Sequence, residues 1–265
     1  MTAEKISENQ FAVVTGASQG LGKEFAFDLA KRNINLILVS LPNQNLITLS
    51  NEIEKKYKVK TSCFETDLSI MENVLGLSSW INENFNVHIL INNAGTGGTK
   101  KFTEAKLEYI NKILQVNVMA TSILTHQLLP NLMKQSQSYI LNVSSMAAFS
   151  PLGYKTVYPA SKAFIHSFSR GLYEELKNTN VFVSVVNPGA MKTNDEITAR
   201  IEKQGFLGKI SLLDPGKVAK YCIQQLFVKD TVIMVNPLSW IMLRLLPIWI
   251  RLPIMTMAIK REVEQ

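Results

Sequence analysis

The sequence has few of the residues that build disulfide frameworks and metal sites. Its 265 residues include two cysteines, Cys63 and Cys222, and three histidines, His88, His126 and His166. Two cysteines without a close pairing form neither a disulfide framework nor a zinc-binding pattern, and they are typical of a reducing compartment. The histidines are scattered and match no two-histidine helical motif, so we expect no metal ion in this protein.

The sequence also lacks a signal peptide pattern and a run of basic residues. Its first ten residues are polar and charged with no apolar core, so we expect no export and a cytoplasmic location. The net charge is +7, but the basic residues are dispersed, which argues against a nucleic-acid partner. The positive balance is compatible with an anionic cofactor or an anionic membrane surface.

What the chain has instead is an alternation of short apolar runs and helical patterns. The apolar runs predict seven buried strands, at residues 11–15, 35–40, 60–65, 87–91, 139–143, 181–186 and 231–235. The helical patterns cover residues 23–32, 44–57, 69–84, 104–129, 154–177 and 218–227, with Ser69 and Thr156 as N-caps. This alternation predicts an α/β fold with a seven-stranded parallel sheet and helices on both faces. We assign residues 1–236 to one doubly wound domain and residues 237–265 to an apolar helical extension of it.

A glycine-rich turn follows the first predicted strand. Gly16, Gly20 and Gly22 lie within seven residues, between that strand and a helical pattern. Missing side chains let the backbone approach a pyrophosphate, and a helix N terminus offers free N–H groups and a positive dipole end. This context favours phosphate binding over an ordinary turn.

Polar and glycine-bearing segments recur where the predicted strands end. They are residues 16–22, 66–68, 92–95, 144–145 and 187–189. Ligands of parallel α/β sheets bind at the carboxyl ends of the strands, so we expect these segments to converge in space.

Tyr158 and Lys162 are four residues apart in a predicted helix, which places them on one face. A positive charge beside a phenol favours the phenolate and lowers the tyrosine pKa from its ordinary value of about 10. Such a tyrosine can pass a proton to or from an alcohol oxygen. Taken alone, the pair is more often a feature of a surface helix, and the surrounding motifs decide between the two interpretations.

With these motifs in order, residues 10–193 resemble the short-chain dehydrogenase/reductase family in its compact form. The glycine turn is similar to its cofactor loop, and residues 92–95, Asn-Asn-Ala-Gly, to its sheet-stabilising motif. Each motif is weak evidence alone, but five of them in register are strong evidence. The resemblance implies a Rossmann fold.

The resemblance also implies a catalytic tetrad. Tyr158 would be the general acid in reduction and the base in oxidation, and Lys162 would bind the nicotinamide ribose and lower the tyrosine pKa. Ser145 would hydrogen-bond the substrate oxygen; we choose it over Ser144 because the family usually places this serine thirteen residues before the tyrosine. Asn117 would hold a water that connects Lys162 to solvent, would kink its helix, or would do both.

The implied cofactor is NADP or NAD. Besides Tyr158 and Lys162, the implied contacts are Gly16, Ser18, Gln19, Gly20, Leu21, Gly22, Ser40, Leu41, Asp67, Leu68, Asn93, Ala94, Gly95, Pro188, Gly189 and Thr193. The second strand ends at Ser40 and Leu41, with neither the acidic residue that NAD users usually carry nor the arginine of NADP users. Because no carboxylate would repel a 2′-phosphate, NADP is slightly favoured.

The activity that the resemblance implies is hydride transfer between the nicotinamide and a carbonyl or secondary alcohol. We expect reduction of a small hydrophobic ketone or aldehyde, in a pocket lined by Phe149, Leu152, Met191 and Phe206, under a mobile lid at residues 194–212. The alternatives are a 3-oxoacyl-thioester reductase of lipid metabolism and a non-catalytic NAD(P)-binding regulator. Members of the family are commonly dimers or tetramers, so we expect a homo-oligomer.

Residues 237–259 are strongly apolar. Two arginines, at 244 and 251, and two prolines, at 247 and 253, argue against a membrane-spanning helix. The segment would pack on the pocket or on a second subunit, lie at a membrane surface as a peripheral contact, or belong to the core.

Overall fold

Seven strands form one parallel sheet in the computed structural model, which describes residues 10–191, 212–237, 240–241 and 245–260. The strands are β1 Gln10–Thr15, β2 Asn35–Ser40, β3 Thr61–Glu65, β4 Asn86–Asn92, β5 Ser138–Val143, β6 Val181–Val186 and β7 Val232–Ile233. Their order across the sheet is β3-β2-β1-β4-β5-β6-β7. The predicted parallel sheet is therefore confirmed, with a seventh strand shorter than expected.

Helices cover both faces of the sheet. Those described are α1 Gly20–Lys31, α2 Leu46–Tyr57, α3 Met71–Asn84, α4 Leu107–Leu114, α5 Thr121–Met133, α6 Val157–Leu176, α7 Pro215–Phe227 and α8 Ile248–Lys260. A π-helical turn, Gln115–Ala120, joins α4 to α5, and short 3₁₀ turns lie at Phe102–Glu104 and Met146–Phe149. The layered α/β architecture is the one that the sequence predicts.

Each face of the sheet has its own apolar core, and successive residues of one strand belong to different cores. In β2, Leu36 and Leu38 pack towards α1, α2 and α7, whereas Ile37 and Val39 pack towards α3 and α5. Both faces are buried, so the strands read as continuous apolar runs rather than as alternating patterns. This burial is the physical reason that the strands could be recognised in the sequence.

Each of the six predicted helices begins two or three residues before or after the start of its sequence pattern. The first helix starts at Gly20 rather than at residue 23, so that its first turn is part of the glycine-rich segment. Ser69 is not the N-cap of the third helix, which starts at Met71; the backbone N–H of Ser69 instead donates to Asp67 Oδ1 at 2.8 Å. The short aspartate turn thus replaces the predicted cap.

The helical pattern at 104–129 is divided in the fold between α4, the π-helical turn and α5. The latter helix continues to Met133 and includes Pro130. Thr156 is the N-cap residue of α6 as predicted, although its side chain makes no capping hydrogen bond.

The last described helix, α8, packs on the segment that precedes α6. Thr256 Oγ1 accepts a hydrogen bond from the Gly153 N–H at 3.1 Å, and the Ser150 hydroxyl approaches Met255 Sδ at 3.6 Å. Within the described ranges, no helix is both long enough and apolar enough to cross a bilayer. The domain boundary at residue 236 stays a prediction.

Candidate active site

The glycine turn between β1 and α1 has a backbone that requires glycine. Gly16 and Gly20 have φ values of +65° and +55°, in the left-handed region that side chains rarely adopt. At Gly22 the reason is space, because a Cβ would lie 2.1 Å from Gly16 O and 2.5 Å from Asn93 Nδ2. The start of α1 therefore lies directly against the turn.

The loop after β4 holds this turn in place. Asn93 Nδ2 donates to Thr15 O at 2.9 Å and to Gly16 O at 3.2 Å. The backbone N–H groups of Asn93 and Ala94 both donate to Thr15 Oγ1 at 3.0 Å. Because β1 and β4 are neighbours at the point where the strand order reverses, these bonds rigidify the crevice in which α/β sheets bind their ligands.

A cleft of about 450 Å³ opens beside the start of α1. Its lining residues are Ser18, Gln19, Gly20, Lys23, Glu24, Asp214, Pro215 and Gly216. The Gln19 side chain makes no capping bond and the first turn of α1 carries no acidic residue, which leaves the helix N terminus open to an anion. The glycine cradle and this open N terminus fit a dinucleotide pyrophosphate.

Sequence reasoning missed the far wall of this cleft. Lys23 adds a positive charge one turn into α1, and Asp214 caps α7 by accepting from the Lys217 N–H at 2.8 Å. The Asp-Pro pair at 214–215 is a recognisable helix start in the sequence. Nothing local, however, indicates that α7 begins beside the glycine turn.

The ends of β2 and β3 form the other end of the crevice, where the adenosine contacts are predicted. The Thr66 N–H donates to Ser40 O at 2.8 Å, and the buried Ser40 hydroxyl donates to Leu41 O at 2.9 Å. Leu41 is exposed, whereas Leu68 is buried. The Leu41 side chain is therefore open to a planar ligand.

Asp67 is fixed in the turn after β3. Partial burial acts to raise its pKa, but hydrogen bonds from the backbone and hydroxyl of Ser69 and the charge of Lys112 outweigh this effect and lower the pKa. The carboxylate is therefore an ionised acceptor at neutral pH.

Lys162 is the most deeply buried charged group of the site. It lies in α6 with 5% of its surface exposed, and its Nζ donates to Val143 O at 2.9 Å. A Cβ on Gly95 would come within 3.2 Å of the same Nζ, so the absence of a side chain there makes room for the ammonium. Burial lowers the pKa of Lys162 from 10.5 to about 8.

Tyr158 lies one turn before Lys162 on the same helix. The centroid of its ring is 5.9 Å from Lys162 Nζ, so the structure brings the two groups together. The ring is half-buried and packs over Gly97, where a Cβ would lie 2.7 Å from Tyr158 Cδ2. Gly97 is a site-shaping residue that the sequence did not reveal, because its role depends on a ring sixty-one residues later.

Asn117 lies in the π-helical turn and is 1% exposed. Its carboxamide accepts from the Thr96 N–H at 2.8 Å and donates to Thr96 O and Ser161 Oγ, both at 2.9 Å. The Ser161 hydroxyl in turn donates to Tyr158 O at 2.7 Å. Asn117 thus ties the loop after β4 to the helix that carries Tyr158 and Lys162, and π-helical turns of this kind are frequent at functional sites.

The two serines after β5 have different surroundings. Ser144 is buried and its hydroxyl donates to Lys162 O at 2.7 Å, which gives it a structural part in holding α6. Ser145 is half-buried at the start of the 3₁₀ turn, where its Oγ accepts from the Ala147 N–H at 3.1 Å. The hydroxyl proton of Ser145 is not used in that bond, so this serine can donate to a substrate oxygen.

The segment after β6 completes the edge of the site. Pro188 O accepts from the Met146 N–H at 2.9 Å, which places Gly189 beside the 3₁₀ turn that Ser145 begins. Met191 then forms a bridge with Leu213, just before α7. Thr193, Phe206 and the predicted lid at 194–212, apart from Leu212, lie outside the described residues.

The predicted pocket residues that are described lie in different surroundings. Phe149 packs edge-on against His166 with ring centroids 4.9 Å apart, Leu152 is buried, and Met191 packs on the core between the sheet and α1 and α7. Among the catalytic candidates, the structure brings Tyr158 and Lys162 together and ties Asn117 to their helix, whereas the roles of all four residues stay predictions.

The model of the family described as short chain dehydrogenase matches residues 10–204. The chain belongs to this family. Short-chain dehydrogenases are NAD(P)-dependent oxidoreductases that act on CH–OH and C=O groups.

Curated relatives of this short-chain dehydrogenase include two mammalian enzymes. The very-long-chain 3-oxoacyl-CoA reductase of Mus musculus is 32% identical over 200 residues, which are 73% of this chain and 62% of the relative. The enzyme of the same name from Rattus norvegicus is 34% identical over 68% of this chain and 58% of its own length. The match therefore spans about three fifths of the length of these relatives.

Solved structures of the family share the fold over most of the chain. An alcohol dehydrogenase from Comamonas testosteroni, specific for bulky-bulky ketones, has a TM-score of 0.77 at 25% identity and covers 90% of this chain and 92% of its own. L-sorbose reductase from Gluconobacter frateurii, complexed with NADPH and L-sorbose, has a TM-score of 0.77 at 25% identity and covers 85% and 94%. The Rossmann-type architecture is thus that of known reductases.

Proposed function

We propose that the protein reduces the carbonyl group of a hydrophobic ketone or aldehyde with NADPH. The observation that carries this proposal is the buried ammonium of Lys162, 5.9 Å from the centroid of the Tyr158 ring, at the edge of the sheet where β5 ends in Ser144 and Ser145 and where the glycine cradle lies. Lys162 and Tyr158 come from α6, Ser145 from the end of β5, and the cradle from β1 and β4. Retention of the complete set, with Asn117 beneath it, argues against a regulator that only binds the cofactor.

Each of these side chains has its own role in the proposed reaction. The nicotinamide cofactor supplies the hydride when it is bound. Ser145 donates a hydrogen bond to the carbonyl oxygen as negative charge develops there, and Tyr158 gives its phenolic proton to that oxygen. Lys162 favours the phenolate that is left, and its remaining N–H groups are available to the ribose hydroxyls. Asn117 holds α6 at the correct distance from the loop after β4.

We propose a preference for NADPH over NADH. Ser40 and Leu41 put no carboxylate at the end of β2, where an acidic residue would repel a 2′-phosphate. A higher kcat/KM for NADPH than for NADH is expected, and the reverse order would contradict this part of the proposal.

A second candidate substrate class is the 3-oxoacyl thioester. The names of the mammalian relatives favour it, because a very-long-chain 3-oxoacyl-CoA also offers a ketone attached to an apolar chain. The chemistry at Tyr158 and Ser145 would be the same for both classes. They differ in the chain length that the apolar pocket must hold.

The test is NADPH oxidation against a panel of ketones, aldehydes and 3-oxoacyl thioesters. Tyr158→Phe should lower kcat by at least about a hundredfold, because the proton donor is lost. Tyr221→Phe, on the partly exposed surface of α7, is the matched control and should leave kcat unchanged. Cofactor binding without turnover of any substrate by the wild type would support the regulator instead.

We further propose a cytoplasmic homo-oligomer that contacts a membrane through part of residues 237–259. The free thiols of Cys63 and Cys222 suit a reducing compartment. Exposed apolar side chains lie on neighbouring helices, with Leu107 and Leu114 on α4 and Phe164 on α6, stacked on Phe168 at 5.8 Å. Such a surface favours association with a second copy of the chain.

A further inference from the structure

The region around α8 carries an apolar surface on the outside of the molecule. Its members, which we call the tail surface, are Leu245, Leu246, Ile248, Trp249, Ile254 and Met257, and each is at least 40% exposed. Leu245 and Trp249 are about three-quarters exposed, at 76% and 73%. Several large apolar side chains exposed within sixteen residues of chain indicate a contact site.

Only one side of α8 is covered by the rest of the protein. Met255 and Thr256 contact Ser150 and Gly153, and Ile259 is buried. Trp249 and Met257, in contrast, are 73% and 59% exposed, so part of the circumference of α8 is not covered by the rest of the protein. A helix that is apolar all round is normally buried all round, so the outer face of α8 needs a covering partner.

Charge indicates what that partner is. Residues 231–260 contain no aspartate or glutamate, and their charged residues are Arg244, Arg251 and Lys260. An apolar face with tryptophan and basic residues is the composition that binds at the interface of an anionic membrane. Over residues 231–265 the sequence has four basic residues against two glutamates, so the C-terminal part of the chain has a net positive charge that complements an anionic surface.

The tail surface lies next to the substrate side of the active site. The segment on which α8 packs, residues 150–153, connects the 3₁₀ turn that begins at Ser145 with the helix that carries Tyr158. A bilayer in contact with the outer face of α8 would therefore lie about one helix diameter, roughly 10 Å, from the chain segment that connects Ser145 with Tyr158. Hydrophobic substrates dissolve in such a bilayer far better than in water.

We propose that the tail surface docks on an anionic phospholipid bilayer, and that docking lets the enzyme take its hydrophobic carbonyl substrate directly from the lipid. The docking depends only on the tail surface, whereas the uptake of substrate from the lipid also rests on the proposed reductase function. Docking shortens the path of the substrate, because the substrate does not have to enter the water phase.

The binding test uses the full chain and vesicles of phosphatidylcholine with or without phosphatidylserine. Wild type should co-sediment with the mixed vesicles, and added salt should weaken the binding. The double variant Leu245→Glu/Trp249→Glu should lower the partition coefficient by at least about tenfold, because it puts two carboxylates on the face that meets the lipid. Ile47→Glu, at a residue of α2 that is 63% exposed, is the matched control and should bind as wild type does.

The uptake test compares a long-chain substrate held in the vesicles with a short-chain, water-soluble carbonyl compound. The double variant should lose turnover of the first by about the same tenfold and keep turnover of the second.

No binding by the wild type, or equal binding by the double variant, overturns the docking. A smaller particle mass for the double variant in sedimentation would show a subunit interface instead. Lipid binding by a wild type that reduces nothing would sink the reductase function and leave the docking intact.

Discussion

At the scale of single residues, Lys162 shows how burial prepares a group for its work. A lysine with almost no exposed surface loses hydration, and its pKa falls to about 8 because no carboxylate compensates for that loss. The same burial holds the ammonium against Val143 O and leaves it near the Tyr158 ring. Burying the ammonium close to the phenol therefore lowers the stability of the folded protein.

This loss of stability predicts a pH-dependent effect of Lys162→Met on the free energy of unfolding. The unfolded chain keeps a proton on the lysine up to about pH 10.5, whereas the folded protein releases it near pH 8, so stability rises with pH between these values. At pH 7, Lys162→Met should raise the free energy of unfolding by about 2 kcal/mol, after allowance for the lost hydrogen bond to Val143. That gain should shrink as the pH rises above 8 and disappear before pH 10.5.

Urea unfolding without cofactor at pH 7 and pH 10 measures the effect. Lys134→Met, at an exposed lysine beyond the end of α5, is the control and should show no such pH dependence. An equal gain from Lys162→Met at both pH values would mean that the ammonium is not destabilised in the fold.

At the scale of elements, the site is built from strand ends and helix starts that fit against each other. The strand–turn–helix unit of β1 and α1 has no room for side chains at its turn, and the loop after β4 is bonded into it through Asn93. The π-helical turn around Asn117 does the same between that loop and α6. Each motif thus also holds two secondary-structure elements together, in addition to any contact that it makes with a ligand.

Gly22→Ala tests the close packing of the glycine turn against the start of α1. An alanine Cβ would lie 2.1 Å from Gly16 O, so the turn has to move and its cradle is lost. We expect a loss of about 2 kcal/mol of stability and at least about tenfold weaker NADPH binding. Thermal unfolding and cofactor fluorescence titration measure the two effects.

Gly76→Ala is the matched control for this variant. Gly76 lies inside α3 with nothing within 4 Å of an added Cβ. Because alanine is the better helix former, we expect a gain of about 1 kcal/mol and no change in cofactor binding. Unchanged NADPH affinity in Gly22→Ala would show that the turn does not cradle the pyrophosphate.

At the scale of the whole molecule, the exposed apolar side chains of the described residues include two groups on different helices. One lies on α4 and α6 around Phe164, and the other is the tail surface around α8. Their surroundings differ, because residues 231–260, which include the tail surface, carry basic residues and no carboxylate side chain. We assign the first surface to a second copy of the chain and the second to lipid.

Phe164→Glu tests the first assignment. The carboxylate would be buried in an interface between copies, and we expect the oligomer to dissociate at micromolar concentrations, with an apparent dissociation constant at least about a hundredfold higher. Sedimentation equilibrium gives the mass, and Ile47→Glu again serves as the control. An unchanged mass for Phe164→Glu, with a wild type that is oligomeric, would place the interface elsewhere.

The sequence by itself determined the layered sheet and the positions of its motifs. The strands are buried on both faces, so each appears as an apolar run, and the glycine and polar segments follow those runs at the carboxyl edge. Tyr158 and Lys162 could be paired from their spacing because a helix sets it. These features depend on residues close together in the chain.

The tertiary structure decided the features that join distant residues. It decided that Lys23 and Asp214 face one cleft, that Gly97 makes room for the Tyr158 ring, and that α8 packs on a loop 103 residues earlier. The physical reason is that a contact between distant residues leaves no periodic pattern in the sequence. The tertiary structure also decided which face of α8 is exposed, because exposure depends on which side chains the rest of the fold covers.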